Sequence, residues 1–372
     1  MARYSVMLKP ASSACNLRCK YCFYADLAGK RDTFCFGSMS RQTAREILTN
    51  LSRQLQRGDM VEFAFQGGEP TLVGLDWFRD FFSMCGELLK EQTVTYALQT
   101  NGTLLDDQWG EFLGKHQVLV GLSVDADAPM HNSCRVDTHG QGTYPQVMAA
   151  AALLRKHRVE FNILCTLTRE IARHPLQVWK WICKHDFRYV QFTPCLDELD
   201  APGQSDYALR PDRFADFYIR LFPLWFRDFQ EGRYRSIKFF DDVVNLLAFG
   251  MPTACGIHGA CQCQMVVEAD GSAYPCDFYC LDEYRLGDLR KDSLVQMVQS
   301  ERARAFVSRE REASALCEEC PYRNFCGRGC RRMQREVYCG SEDKRCGYRS
   351  FLDYAMPALQ QIARQQRMMR RM

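Results

Sequence analysis

Apolar residues follow two rhythms over the first two thirds of the chain. Short runs rich in β-branched and aromatic residues recur at YSVMLKP (4–10), VEFAFQGGEP (61–70), VTYALQTNGT (94–103), VLVGLSVDA (118–126), VEFNILCTL (159–167) and YVQFTPCLD (189–197). They predict six strands. Between them the period lengthens to that of amphipathic helices, as in SRQTAREILTNLSRQLQ (40–56) and YPQVMAAAALLRKH (144–157). Strands that alternate with helices argue for an α/β fold with a parallel sheet and right-handed crossovers, either open and doubly wound or closed towards a barrel.

In both forms the residues just past the strand C-termini build the site. Here those residues are SSACNLRCKYCFY (12–24), QGGEP, QTNGT, LSVDA and CLDELD. Singly, Gly-Gly and Asn-Gly are turn signals. Gathered on one rim, they read as parts of a shared site. ELDAPGQSDYALR (198–210) reads as a linker, and two helical stretches follow it, at 211–232 and 239–250. Their aromatic stripes read as core packing.

Composition narrows the classes. Of 372 residues, 47% are hydrophobic and 25% charged, which is ordinary for a globular protein. A net charge of +3 gives no basis for a nucleic-acid partner. No apolar run reaches the length of a membrane span, and MARYSVMLKPASSACN lacks a signal-peptide pattern. The expectation is a cytoplasmic protein with no membrane or nucleic-acid partner.

The 20 cysteines change this picture. A large chain without an export signal does not need them as disulfide staples, so they point to metal or catalysis. Three lie at 15–22, six are scattered from 35 to 195, and eleven crowd into 255–346. The scattered six read as small buried hydrophobes. The first three are spaced C-x3-C-x2-C with no evident fourth ligand, whereas structural zinc and iron–sulfur sites normally close with four. In the last third, Cys317-x2-Cys320-x5-Cys326-x3-Cys330 follows VVEADGSAYPCDFY, a predicted hairpin turning at Asp270-Gly271 and delivering Cys276. Thiolate sets suit zinc and iron–sulfur clusters alike, so spacing leaves that choice open.

Taken together, C-x3-C-x2-C with Tyr21 before its last cysteine, GGEP at 67–70 and the C-terminal spacing resemble the radical S-adenosylmethionine superfamily with a SPASM domain. KPASSACNLRCKYCFY, FAFQGGEPTL, LQTNGT, FNILC, VVEADGSAYPCDFY and GCRR resemble the anaerobic sulfatase-maturating enzymes over nearly the whole chain. The resemblance implies a partial (β/α)6 TIM-type barrel over 1–235 and a SPASM module with a β-hairpin and helices over 236–372. It further implies three 4Fe–4S clusters and S-adenosylmethionine. The substrate would be an unfolded sulfatase polypeptide, oxidised at a C/S-x-P/A-x-R motif to Cα-formylglycine by a 5′-deoxyadenosyl radical. Cysteine and serine stay open as the target. A low-potential donor such as ferredoxin or flavodoxin would supply electrons to a monomeric enzyme.

Residue roles follow from the same resemblance. Cys15, Cys19 and Cys22 would hold the radical cluster and leave one iron open, which accounts for the missing fourth thiolate. Tyr21, Gly67, Gly68, Glu69, Ser123, Arg135 and Leu196 match positions around S-adenosylmethionine. Cys255, Cys261, Cys276 and Cys330 would bind one auxiliary cluster; Cys317, Cys320, Cys326 and Cys346 would bind the other, with Cys339 competing for the last place. Cys263 and Cys280 exceed the set. Asp277 would be the general base. The basic tail at 364–371 suits the C-terminal end of a helix. Two alternatives remain: a SPASM maturase acting on another peptide, and a non-enzymatic iron–sulfur carrier.

Overall fold

The computed structural model describes residues 1–312, 314–340 and 343–370; Arg371 of the basic tail lies outside them. The chain forms two compact units, Met1–Ser123 with Cys134–Phe161 and Gln262–Arg309, and Val124–Ser133 with Asn162–Cys261 and Glu310–Met372.

All six predicted strands form. In the first unit these are β1 (Arg3–Leu8), β2 (Met60–Phe65), β3 (Thr93–Thr100) and β4 (Leu119–Ser123), parallel and in sequence order. Their apolar positions explain the pairing. Val6 faces Phe63 across β1 and β2, and Phe63, Phe65 and Val61 are buried. Helix Arg41–Ser52 starts where the sequence predicts, with the Ser40 hydroxyl accepting the Thr43 N–H as its N-cap. Helix Leu75–Leu88 supplies Trp77, Phe78 and Phe81 edge-to-face, and Phe82 stacked, to an aromatic cluster around Phe65.

The second unit carries β5 (Phe161–Leu167), β6 (Tyr189–Pro194) and β7 (Ser236–Ile237), again parallel. Helices Pro211–Gln230 and Lys238–Phe249 pack with the C-terminal helix Gly347–Met369 through Phe222, Trp225, Phe240 and Phe351. The aromatic stripes are core, as their spacing suggested. The basic tail closes its own helix, with Arg367 in the last turn and Arg370 at the C-cap, and it also engages a neighbouring helix end. Arg367 Nε donates to Ala248 O at 2.6 Å, and its Nη2 to Leu247 O, at the close of Lys238–Phe249.

The predicted hairpin is β8 (Met265–Val267) and β9 (Ser272–Tyr274), with Gly271 at φ +91° in its turn. Its placement was not legible. β8 runs parallel to β1 and extends the first unit's sheet beyond it, with β10 (Gly287–Asp288) outermost against β9. This edge lays the Cys276 segment beside the first strand. Among the described residues, no helix is long and apolar enough to cross a membrane.

Candidate active site

The cysteine loop leaves β1 at Lys9 and is clamped from behind by the Gly67–Gly68 turn that follows β2. Gly68 N–H donates to Ser12 O and Glu69 N–H to Ala14 O, both at 2.8 Å. A Cβ at Gly68 would stand 2.0 Å from Ala14 O, and one at Gly67 would stand 2.8 Å from Ser12 O. Two glycines are therefore the condition for this approach. On its other side the loop pairs with 134–137. Arg18 N–H donates to Val136 O at 2.7 Å and Lys20 N–H to Cys134 O at 3.1 Å.

This clamping gives a direct expectation. Gly68→Ala cannot be accommodated without moving the backbone at Ala14, at a cost of about 1–3 kcal/mol. Iron retained after reconstitution should fall together with 5′-deoxyadenosine formation. Full iron and full turnover would show that the close approach is dispensable.

Polar groups gather around the sulfurs. Leu17 N–H reaches Cys15 Sγ at 3.4 Å, and Asn101 Nδ2 lies 4.0 Å from it. Burial pushes the Cys15 thiol up, against that N–H. Arg135, 9% exposed, places Nη1 4.0 Å from Cys19 Sγ and its guanidinium 5.6 Å from the Tyr21 ring centroid. The resemblance had assigned Arg135 and Tyr21 to one ligand, and the fold makes them neighbours. Cys22 is exposed, and Ser123 is buried at the end of β4.

Glu69 also has a bracing role that its motif does not announce. Its carboxylate is buried and takes four donors: Thr71 N–H at 3.1 Å, Thr71 Oγ1 at 2.6 Å, Thr100 Oγ1 at 2.7 Å and Asn101 N–H at 2.7 Å. Burial raises it above the ordinary carboxylate range, although these donors pull it down. The side chain ties the loops after β2 and β3 together. Asn101 then extends the tie, donating to Asn16 Oδ1 at 2.9 Å within the cysteine loop. Asn16 and Asn101 lie in quoted motifs, yet only the fold reveals their contact.

Leu196, in the second unit, is buried just past β6. The adjoining segment is no loose linker. Asp197 receives Arg210 through both guanidinium nitrogens, Nη1 at 2.9 Å and Nη2 at 3.1 Å, and also accepts from Gly203 and Ser205 N–H. Burial alone would raise the Asp197 carboxyl, but Arg210 and the two amides hold it below its ordinary value.

The C-terminal cysteines sort into sets. Cys255 is pushed up to about 11, first by burial and then by the neighbouring Cys330 and Cys261 sulfurs. Their turns are interlocked. A Cβ at Gly259 would stand 2.2 Å from Gly327 O, and His258 Nδ1 lies 2.8 Å from Phe325 O. Cys276 belongs to the first unit, at the end of β9. Cys317, Cys320, Cys326 and Cys346 line one cavity together with Tyr348 and Leu352. Cys339 is buried against Cys317, with 3.7 Å between their sulfurs. A cavity walled by four thiols fits an iron–sulfur cluster in donor chemistry.

Asp277 opens a short turn, Asp277–Tyr279, directly after Cys276, and Phe278 packs edge-on to Phe23 at 5.0 Å. Its Oδ1 lies 2.6 Å from the Lys9 ammonium. Beneath it is a buried network. Glu268 accepts from Ser12 Oγ at 3.0 Å, from Arg31 Nη1 at 2.7 Å and from the Tyr24 hydroxyl. Burial alone would lower the Lys9 ammonium, but Asp277 foremost, with Cys280, Tyr24 and Glu268, holds it well above its ordinary value. Ser12 sits at the loop's hub with φ +50°, in the left-handed region. Lys9, Ser12 and Glu268 lie within the site-bearing motifs, but no local pattern singled them or Arg31 out.

Comparisons with known proteins show which family has this sequence and fold. The model of the radical SAM superfamily matches residues 10–176, and that of an iron–sulfur cluster-binding domain, SPASM, matches 255–321. A cysteine-type anaerobic sulfatase-maturating enzyme of Clostridium perfringens is 37% identical, over 98% of this chain and 99% of its own. A serine-type enzyme of Bacteroides thetaiotaomicron is 28% identical, over 87% of this chain and 82% of its own. The solved structure of native anSMEcpe with bound AdoMet and Cp18Cys peptide aligns with a TM-score of 0.89 at 36% identity, covering 98% of this chain and 99% of that one. At 37% identity over nearly the whole of both chains, the chain belongs to the anaerobic sulfatase-maturating enzymes of the radical SAM superfamily.

Proposed function

We propose that this protein oxidises a cysteine in an unfolded sulfatase polypeptide to Cα-formylglycine, using S-adenosylmethionine and three 4Fe–4S clusters. The observation that carries the reading is the clamped three-cysteine loop with Arg135 beside Cys19. The preference for cysteine rests on the greater likeness to the cysteine-type relative than to the serine-type one.

Cys15, Cys19 and Cys22 would hold the radical cluster. Cys255, Cys261, Cys276 and Cys330 would hold the first auxiliary cluster, and Cys317, Cys320, Cys326 and Cys346 the second. Cys346 is preferred over Cys339 because it shares a cavity wall with the other three. Complete cysteine ligation leaves no open iron for substrate, which suits electron transfer. When bound, the radical cluster and S-adenosylmethionine supply the acceptor for a Cβ hydrogen atom of the substrate. Arg135 suits the carboxylate of S-adenosylmethionine through its planar fork, with Tyr21 against it. The turn at Gly67 and Gly68 offers backbone to the same ligand, as do Ser123 and Leu196. Glu69 serves by holding that turn.

Asp277 takes the substrate thiol's proton. The S–H electron pair stays with sulfur; the auxiliary clusters, when bound, would supply the acceptor for the second electron, and hydrolysis of the thioaldehyde would give formylglycine and sulfide. In this reading residues 1–235 generate the oxidant and 236–372 carry electrons away. The enzyme works as a cytoplasmic monomer, fed by a low-potential donor of the ferredoxin or flavodoxin type.

The test is anaerobic incubation of reconstituted protein with dithionite, S-adenosylmethionine and one of two peptides, carrying Cys-x-Pro-x-Arg or Ser-x-Ala-x-Arg. Formylglycine from the cysteine peptide, matched by 5′-deoxyadenosine, is expected. Product from the serine peptide alone would overturn the cysteine preference. 5′-Deoxyadenosine with neither peptide oxidised would move the activity to another peptide substrate.

A further inference from the structure

A fully buried ammonium needs a counter-charge, because unpaired burial of an ion is far costlier than any packing gain. Lys9 is 0% exposed, and its position just past β1 sends the side chain inward. Three groups receive it: Asp277 Oδ1 at 2.6 Å, Cys280 Sγ at 3.6 Å and the Tyr24 ring face at 3.4 Å. The other buried carboxylate nearby, Glu268, already serves Arg31, Ser12 and Tyr24. The network thus resolves into two ion pairs, Arg31 with Glu268 and Lys9 with Asp277.

The second pair has a direction. The Lys9 side chain is 0% exposed and that of Asp277 is 18% exposed, so the cation lies inside and the carboxylate faces out. Lys9 engages Oδ1; among the described residues no hydrogen bond reaches Oδ2. The Phe23–Phe278 contact keeps the turn from swinging. A carboxylate held by one oxygen from beneath presents the other oxygen along a fixed direction.

We propose that Lys9 is the positioning residue for Asp277, fixing Oδ1 from below so that Oδ2 meets the substrate thiol. This rests on the reading of Asp277 as the proton acceptor. During transfer the thiol's S–H bond breaks, the electron pair stays on sulfur and the proton goes to Oδ2. Lys9 keeps its own protons throughout. The Tyr24 ring and Cys280 act as walls that deny the ammonium any other seat.

The test uses the reconstituted full chain and the cysteine peptide, with wild type, Lys9→Met, Lys9→Arg, Lys9→Gln, Asp277→Asn and the double variant Lys9→Met/Asp277→Asn. Lys9→Met should lower the kcat for formylglycine by about 100-fold, within the range of a positioned acid–base group, while KM moves by less than about threefold. Asp277→Asn should lose about as much, and the double variant no more than Asp277→Asn alone. Lys9→Arg should recover at least roughly tenfold over Lys9→Gln, because only arginine keeps the charge. Where Lys9→Met fails to retain wild-type iron, the arginine–glutamine comparison decides by itself. Equal activity of those two variants, or a Lys9→Met loss that adds in full to Asp277→Asn, overturns the role of Lys9. Near-wild-type activity of Asp277→Asn removes the proton-acceptor reading instead, whatever Lys9 does.

Discussion

Cys19→Ala should abolish 5′-deoxyadenosine formation, with a loss of roughly 1,000-fold or more, because on the proposed reading it removes one of three ligands that act as a unit. Cys19 stands in the middle of the clamped loop, between the Lys20 tie to Cys134 O and the Arg135 guanidinium. On the three-cluster reading, iron per chain falls from about twelve to about eight. Cys85→Ala is the matched control. Cys85 is buried within helix Leu75–Leu88 and outside both cysteine-rich stretches, as befits a packed hydrophobe. Its removal should leave iron unchanged and cost only a few kcal/mol of packing at most, about 1–3. Iron analysis, electron paramagnetic resonance and product detection on the two variants provide the check. Retained 5′-deoxyadenosine in Cys19→Ala would sink the assignment of the loop, and with it the proposed function.

How far the sequence led can be judged from these residues. Strand positions were legible because β-rich runs bounded by Gly and Pro carry local information, and the hairpin at Asp270-Gly271 announced its own turn. The cysteine loop and Gly67–Gly68 were legible as motifs, since each is contiguous. What no local pattern could supply was the pairing of β8 with β1, which depends on contacts some 260 positions apart, as between Val6 and Met265. That pairing places Asp277 over Lys9 and brings Glu268 to Arg31. A lysine after a strand reads as solvent-facing by default, and only the third dimension shows it buried. The segment 198–210 looked like a linker by composition, because a bidentate tie from Asp197 to Arg210 leaves no trace in periodicity.

Glu69 shows that a motif located by sequence can carry structural work that the sequence does not announce. GGEP places Glu69 near the ligand positions, and in the fold its oxygens accept from Thr71, Thr100 and Asn101. Glu69→Ala would leave two backbone amides and two hydroxyls without their acceptor in a buried loop junction. Each unsatisfied buried donor costs about 1–3 kcal/mol. Partial relaxation and water entry bring the expected total to about 3–5 kcal/mol. Its pH dependence identifies the group. The folded Glu69 carboxyl is raised above its unfolded value, so the native state binds its proton more tightly and ionisation works against folding. Wild-type stability should therefore lose this contribution as pH rises from the ordinary carboxylate range through the folded value. In Glu69→Ala that component is absent. Denaturant unfolding of the two proteins across this pH range, read as midpoint at constant slope, tests both claims. A loss below about 1 kcal/mol, or an unchanged pH profile, would mean that Glu69 is not the brace. The glycine clamp would then have to hold the cysteine loop by itself.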